Sequence, residues 1–192
     1  MVEPIIKSVL TGFGIYTIAM LWSKPFLPHT LKSKIEKFDS SACVLIPFTG
    51  LLYLVVWSVT IYFNYRNAET QDDIYSITNR LTGPLWYAAW LEPVLSLSSQ
   101  ILWFKKIRKN KLTRICIALT LIVPAESIIG CFISIHRDYV QSHWQVNYPQ
   151  RIVAWIGEVG IFGVVSILFH WIRINYLKKS TADHNPASCR KE

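Results

Sequence analysis

Apolar residues in this chain are not interleaved with polar ones at a helical or strand period. They are pooled in runs of about 18 to 23 residues, separated by short charged stretches. The runs are Ile5 to Trp22, Cys43 to Phe63, Pro84 to Phe104, Ile115 to Ile135, and Ile152 to Ile172. A helix rises about 1.5 Å per residue, so each run is long enough to cross about 30 Å of hydrocarbon. Lipid offers backbone amides no hydrogen-bond partner, which requires each run to be helical; barrel strands would be shorter and alternating. The pattern predicts an all-α polytopic membrane protein, with five transmembrane helices forming a four-helix bundle plus one flanking helix. Residues 1–177 make one domain, and the polar stretch 178–192 is expected to be a disordered cytoplasmic tail, having too little apolar surface to fold. The first run is read as a retained helix rather than a signal peptide. Its start, "MVEPIIK", mixes Glu3 with Lys7, no small-x-small cleavage site follows, and Trp22, Lys24 and Pro25 close it.

Composition agrees with this reading: 52% of the 192 residues are hydrophobic, above the roughly 45–50% of soluble domains. Charge then orients the runs. Of the 20 Lys and Arg, 15 fall in the first loop (Lys24, Lys32, Lys34, Lys37), the third loop (Lys105 to Arg114) and the tail. Lys7, Arg66, Arg80, Arg137 and Arg151 make up the other 5. With five crossings these two sets alternate sides, which puts the first loop, third loop and C-terminus in the cytoplasm and the N-terminus outside. The net charge of +8 is thus mostly a topology signal. Nucleic acid is excluded as a partner, because the basic residues sit in short loops beside lipid and not on a folded basic face. Membrane lipid headgroups are the expected contact.

Cysteine adds little: Cys43, Cys116, Cys131 and Cys189 include no pair at metal-ligand spacing, so no metal site is expected. Haem is not expected either, since only His170 offers an imidazole inside a run, near its cytoplasmic end.

Ionisable residues inside the runs are more telling. Glu92, Glu126 and Glu158 each fall where a carboxyl is costly and faces the bundle interior or water. Counted from the outer ends of their runs, they lie about 12, 13 and 9 Å deep, one common outer layer. Buried carboxyls exchange protons readily with a redox ligand, which makes Glu92 and Glu158 candidate proton relays beside Glu126. The plainer alternative is that they hydrogen-bond neighbouring helices, aided by carbonyls that Pro93 and Pro124 release one turn upstream.

Just above that layer lies "SIHRDYVQSHW", Ser134 to Trp144. His136 titrates near neutrality, and an Arg137–Asp138 pair can orient it, which suits a proton exit. The same stretch also reads as an interfacial belt, with Tyr139, Trp144 and Tyr148 as anchors and Arg137 on a headgroup.

Three ordered motifs carry a family resemblance: "NRLTGPLWYAAW" from Asn79, "QILWFKKIRKN" from Gln100, and "SIHRDYVQSHW" followed by Tyr148 and Pro149. Between about Gly12 and Ile172 the chain resembles the polysulfide-reductase-type NrfD/PsrC family of membrane subunits. Its motifs are most similar to the C-terminal half of the quinol-oxidising membrane subunit of alternative complex III. Family members hold two four-helix bundles, and this chain matches the second with one flanking helix. Ser127 stands where the family commonly has Arg, and the second run lacks an acid. The resemblance implies a subunit of a respiratory quinol-oxidising complex in the bacterial inner membrane, not an enzyme on its own, with other subunits as partners. It implies a quinone, menaquinone or ubiquinone, as cofactor, without haem. Glu126 matches a family glutamate and is implied to be a proton acceptor, with His136 and Asp138 as the external exit. Arg80 and Arg137 would be electrostatic anchors, and Trp86 and Trp90 ring contacts for the quinone. Two other classes stay open: a scaffold or assembly protein that kept the packing and lost the pocket, and a small proton-coupled transporter, against which stands the lack of an inverted repeat.

Overall fold

The structure is a computed structural model and describes residues 2–83, 86–123 and 148–183. Seven α-helices are described: α1 (Val2–Ser23), α2 (His29–Arg66), α3 (Gln71–Thr82), α4 (Trp86–Leu97), α5 (Lys105–Lys109), α6 (Lys111–Ile122) and α7 (Tyr148–Asp183). Two 3-10 segments, Lys24–Phe26 and Ser98–Trp103, join α1 to α2 and extend α4. No strand occurs among the described residues. Among the described residues, three helices are long and apolar enough to cross a membrane: Val2–Phe26, Thr30–Arg66 and Ile152–Tyr176.

α1 buries Ile6, Val9, Leu10, Phe13, Thr17 and Met20, the three-and-four spacing of one helix face. That face meets α7 most extensively, then α6 and α2. Gly12 sets the α1–α7 crossing: a Cβ there would collide with the Glu158 carbonyl and lie 2.7 Å from Phe162 Cβ. The core around this crossing joins Phe13, Ala42, Cys43, Ile46, Ile117 and Phe162. Outside it, α7 exposes Val153, Ile156, Val164, Ile167, Leu168 and Trp171, an apolar surface that water does not tolerate and hydrocarbon does.

The stretch expected as the first loop is largely helix. α2 begins at His29, after Pro28 in extended conformation, and its 38 residues reach about 57 Å, well beyond a bilayer core. The expected second loop holds α3, started by a reciprocal cap in which the Asp73 amide donates to Thr70 Oγ1 and the Thr70 amide to Asp73 Oδ2, both at 3.2 Å.

The third apolar run is a rod of two parts. α4 carries Pro93 and passes into 3-10 geometry at Ser98. Serine hydroxyls mark the change: Ser96 donates to the Pro93 carbonyl at 2.8 Å, Ser98 to Leu95 at 2.6 Å, and Ser99 to Ser96 at 2.6 Å. Twelve α-helical and six 3-10 residues together rise about 30 Å. α6, capped by the Asn110 side chain accepting from the Leu112 amide, runs to Ile122. The rest of the fourth run lies outside the described residues. At the other end, α7 continues to Asp183, past the fifth run's end at Ile172 and six residues into the stretch expected as a disordered tail from 178. The polar segment from Lys178 thus adds turns to an existing helix, where each new residue needs no nucleus of its own.

Candidate functional site

A cavity of about 340 Å³ opens among α1, α2, α4, α6 and α7. Glu92 and Glu158, two of the three acids read from the sequence as one layer, both line it. Glu92 projects from α4, and its Oε2 accepts from Tyr53 Oη at 2.7 Å and from Lys7 Nζ at 2.7 Å. Lys7 also reaches Glu3 Oε1 at 3.2 Å, one turn earlier on α1. Three helices are therefore tied through one carboxylate oxygen. Both contacts fall on Oε2, which leaves Oε1 of Glu92 without a partner among the described residues. Thr11, Ser96 and Thr120 add hydroxyls, while Leu10, Leu95, Leu121 and Trp155 supply apolar wall.

Sequence reading missed Lys7 and Tyr53. Charge counting places Lys7 among the outer cations, although its position four residues after Glu3 marks a helical ion pair that points the ammonium along α1. Tyr53 sits within an apolar run, where a phenol buried to 1% exposure needs an acceptor for its hydroxyl; Glu92 is that acceptor.

The other expected residues are placed differently. Trp86 and Trp90 lie four apart on α4, 53% and 41% exposed, and neither is among the residues lining the cavity. Trp90 is two residues from Glu92, which sends the two side chains to opposite sides of the helix. Its ring packs on Trp57 with centroids 5.0 Å apart, and its Nε1 donates to the Leu81 carbonyl at 3.2 Å, pinning α3 to α4. Arg80 is exposed on α3. Glu126, His136, Arg137 and Asp138 lie outside the described residues.

A second polar cluster sits toward the other end of the bundle. Asp39 is fourteen residues before Tyr53 on α2, about 21 Å along the axis. It grips Arg114 of α6 with both oxygens, Nη1 to Oδ2 and Nη2 to Oδ1 at 2.7 Å each. Next to it, Ser41 Oγ lies 2.9 Å from His170 Nδ1 of α7, and Arg173 Nη1 donates to Ser41 Oγ at 3.2 Å. The single in-run imidazole is therefore committed to the α2–α7 contact. Between the two polar layers, α2 carries the buried apolar residues Ala42, Cys43 and Ile46.

Comparison with protein-family models, with characterised proteins and with solved structures finds no match.

Proposed function

We propose that this chain is an integral membrane subunit of a quinol-oxidising electron-transfer complex, and that the Glu92–Glu158 cavity takes up the protons released there. The observation that carries this reading is a pair of carboxyls on one cavity inside an all-helical, lipid-compatible bundle. The motif resemblance supplies the substrate class. The chain would cross the bilayer five times, through α1, α2, the α4 rod with its 3-10 extension, the run that α6 begins, and α7. The N-terminus would face outward and the basic segments the cytoplasm, as in a bacterial inner-membrane subunit.

The cavity walls suit a hydroquinone: Trp155, Leu95 and Leu121 offer surface to a ring, and carboxyl and phenol groups offer partners to its hydroxyls. When bound, a hydroquinone supplies two electrons and two protons, the electrons passing to an acceptor in a partner subunit. Lys7 and Tyr53 hold the Glu92 carboxylate by one oxygen, so that Oε1 is the one open to a ligand hydroxyl. Glu158 on the same cavity provides a second carboxyl, matching the two protons to be accepted. Glu126 would pass protons outward to His136 and Asp138.

The test is quinol oxidation by the chain purified with its native partners, together with the quinone content of the complex. Glu92→Gln, Glu158→Gln and Glu126→Gln should each lower turnover by about 10²-fold or more, the usual scale for losing a proton acceptor. A second reading, a scaffold, is favoured by the placement of Trp86, Trp90 and Arg80 away from the cavity. Normal turnover in all three variants, with no co-purifying quinone, would establish it.

A further inference from the structure

A second cavity, of about 440 Å³, opens where the last turns of α1 face the first turns of α2 around the Lys24–Phe26 segment. Its walls are apolar: Ala19, Met20, Leu27, Ile35 and Phe38. Three of the described lining residues carry side-chain polar groups. Ser23 Oγ is spoken for, donating to the Met20 carbonyl at 3.3 Å, while the Tyr16 hydroxyl oxygen is buried and has no hydrogen-bond partner among the described residues, its ring packing on Phe38 with centroids 5.9 Å apart. The third, Lys34, is exposed and makes no ion pair among the described residues, whereas nearby Lys24 is held by Glu36 at 3.2 Å.

We propose that this groove is a binding site for an anionic phospholipid, one acyl chain lying along the apolar walls and the phosphate resting on Lys34. The volume falls in the roughly 300–1,000 Å³ range of small-molecule sites. A peptide or polar metabolite would find few hydrogen-bonding groups along these walls to replace water, while a hydrocarbon chain needs none. The open cation selects the sign of the headgroup. α1 and α2 are both long and apolar enough to cross a membrane, and with both in a bilayer the hairpin joining them falls at its surface. The inference rests on that membrane placement alone and is independent of quinol chemistry.

The full chain in mild detergent is offered equal amounts of phosphatidylglycerol and phosphatidylcholine, and retained lipid is counted by native mass spectrometry. In parallel, a phosphatidylglycerol with a photoactivatable acyl chain is cross-linked to the parent protein and the adducts are mapped. One phosphatidylglycerol should be retained in preference, with adducts enriched between Tyr16 and Phe38. Lys34→Ala should cut that preference about fivefold, the usual effect of one lysine on an anionic surface. Ala19→Trp, which fills the groove, should reduce retention of both lipids, and Lys111→Ala should change neither. Equal retention of the two lipids, an unchanged preference in Lys34→Ala, or adducts spread evenly over the apolar belt would each overturn the site. The adduct map needs no variant and decides the matter if Ala19→Trp fails to fold. Quinol turnover is a separate readout, so failure of either proposal leaves the other standing.

Discussion

Lys7 Nζ lies 2.7 Å from Glu92 Oε2, joining the first turns of α1 to the middle of α4 across the carboxyl-lined cavity. The two ends of this pair are unequally supported. Lys7 keeps Glu3 if Glu92 is neutralised, but Glu92 keeps only the Tyr53 hydroxyl if Lys7 is removed. Lys7→Met should therefore lower thermal stability in detergent more than Glu92→Gln. With side chains 42% and 33% exposed, the cost belongs between surface and buried pairs, about 1–2 kcal/mol. A double-mutant cycle checks the coupling: if Lys7→Met and Glu92→Gln add without interaction, the pair is not a structural tie.

Asp39 and Arg114 make the stronger contact. Their side chains are 13% and 7% exposed and engage through two bonds, so removing one partner strands the other charge in the core. Asp39→Ala should cost about 3–5 kcal/mol, and Asp39→Leu with Arg114→Met should recover most of it, because two apolar side chains leave nothing unpaired. Chemical or thermal unfolding followed by helical circular dichroism measures both. A double variant no more stable than Asp39→Ala alone would show that the pair is needed for more than mutual neutralisation.

The apolar runs made the long helices legible, because crossing length depends only on how many lipid-compatible residues follow one another. Ends and partners were not legible in the same way. Arg114 counts as a loop cation by its neighbours Lys109 and Lys111, yet its position just inside α6 turns it onto Asp39, which is itself hidden in a polar-looking stretch before the second run. Glu92 and Glu158 were readable as acids within runs, and depth counting brought them to one level. Lys7 was not readable as their companion, since charge counting treats a lysine near a helix start as a topology marker. Gln100 and Trp103, part of a motif that resembles a redox family, here perform packing: Gln100 Nε2 donates to the Pro47 carbonyl at 2.8 Å and its Oε1 accepts from Trp103 Nε1 at 2.9 Å. A motif shows which residues recur together, and not whether they bind or brace.

Gly12 gives a sharper packing test than any polar group. A methyl at this position meets backbone of α7, which cannot rotate away, so Gly12→Ala should force α1 and α7 apart and cost about 1–3 kcal/mol. Gly157, Gly160 and Gly163 on α7 have nothing among the described residues within 4 Å of an added Cβ. Their alanine variants should be neutral or slightly stabilising, since alanine gains up to about 1 kcal/mol of helix propensity over glycine. Melting temperatures of the four single variants separate the two classes. A Gly12→Ala protein as stable as the parent would mean that the α1–α7 crossing is looser than the structure has it.

The cap of α3, a helix apart from the three of membrane-crossing length, predicts a pH dependence. The Thr70 hydroxyl donates to Asp73 Oδ2 at 2.7 Å and the Thr70 amide adds a second bond at 3.2 Å, and these contacts hold the Asp73 carboxyl below its ordinary value. A carboxyl whose value is depressed in the folded state contributes stability that is present above its unfolded value and disappears as pH falls through the folded one. α3 should therefore be intact at neutral pH and should fray from its first turn only below the usual carboxylate range. Amide hydrogen exchange at Asp73 and Ile74 should quicken, relative to the intrinsic rate, as pH drops through that window, while exchange in α1 stays unchanged. In Asp73→Asn the protection should lose its pH dependence. If α3 frays at the same pH with and without the carboxylate, the cap is not what starts the helix, and packing of Trp90 against the Leu81 carbonyl is left to hold it in place.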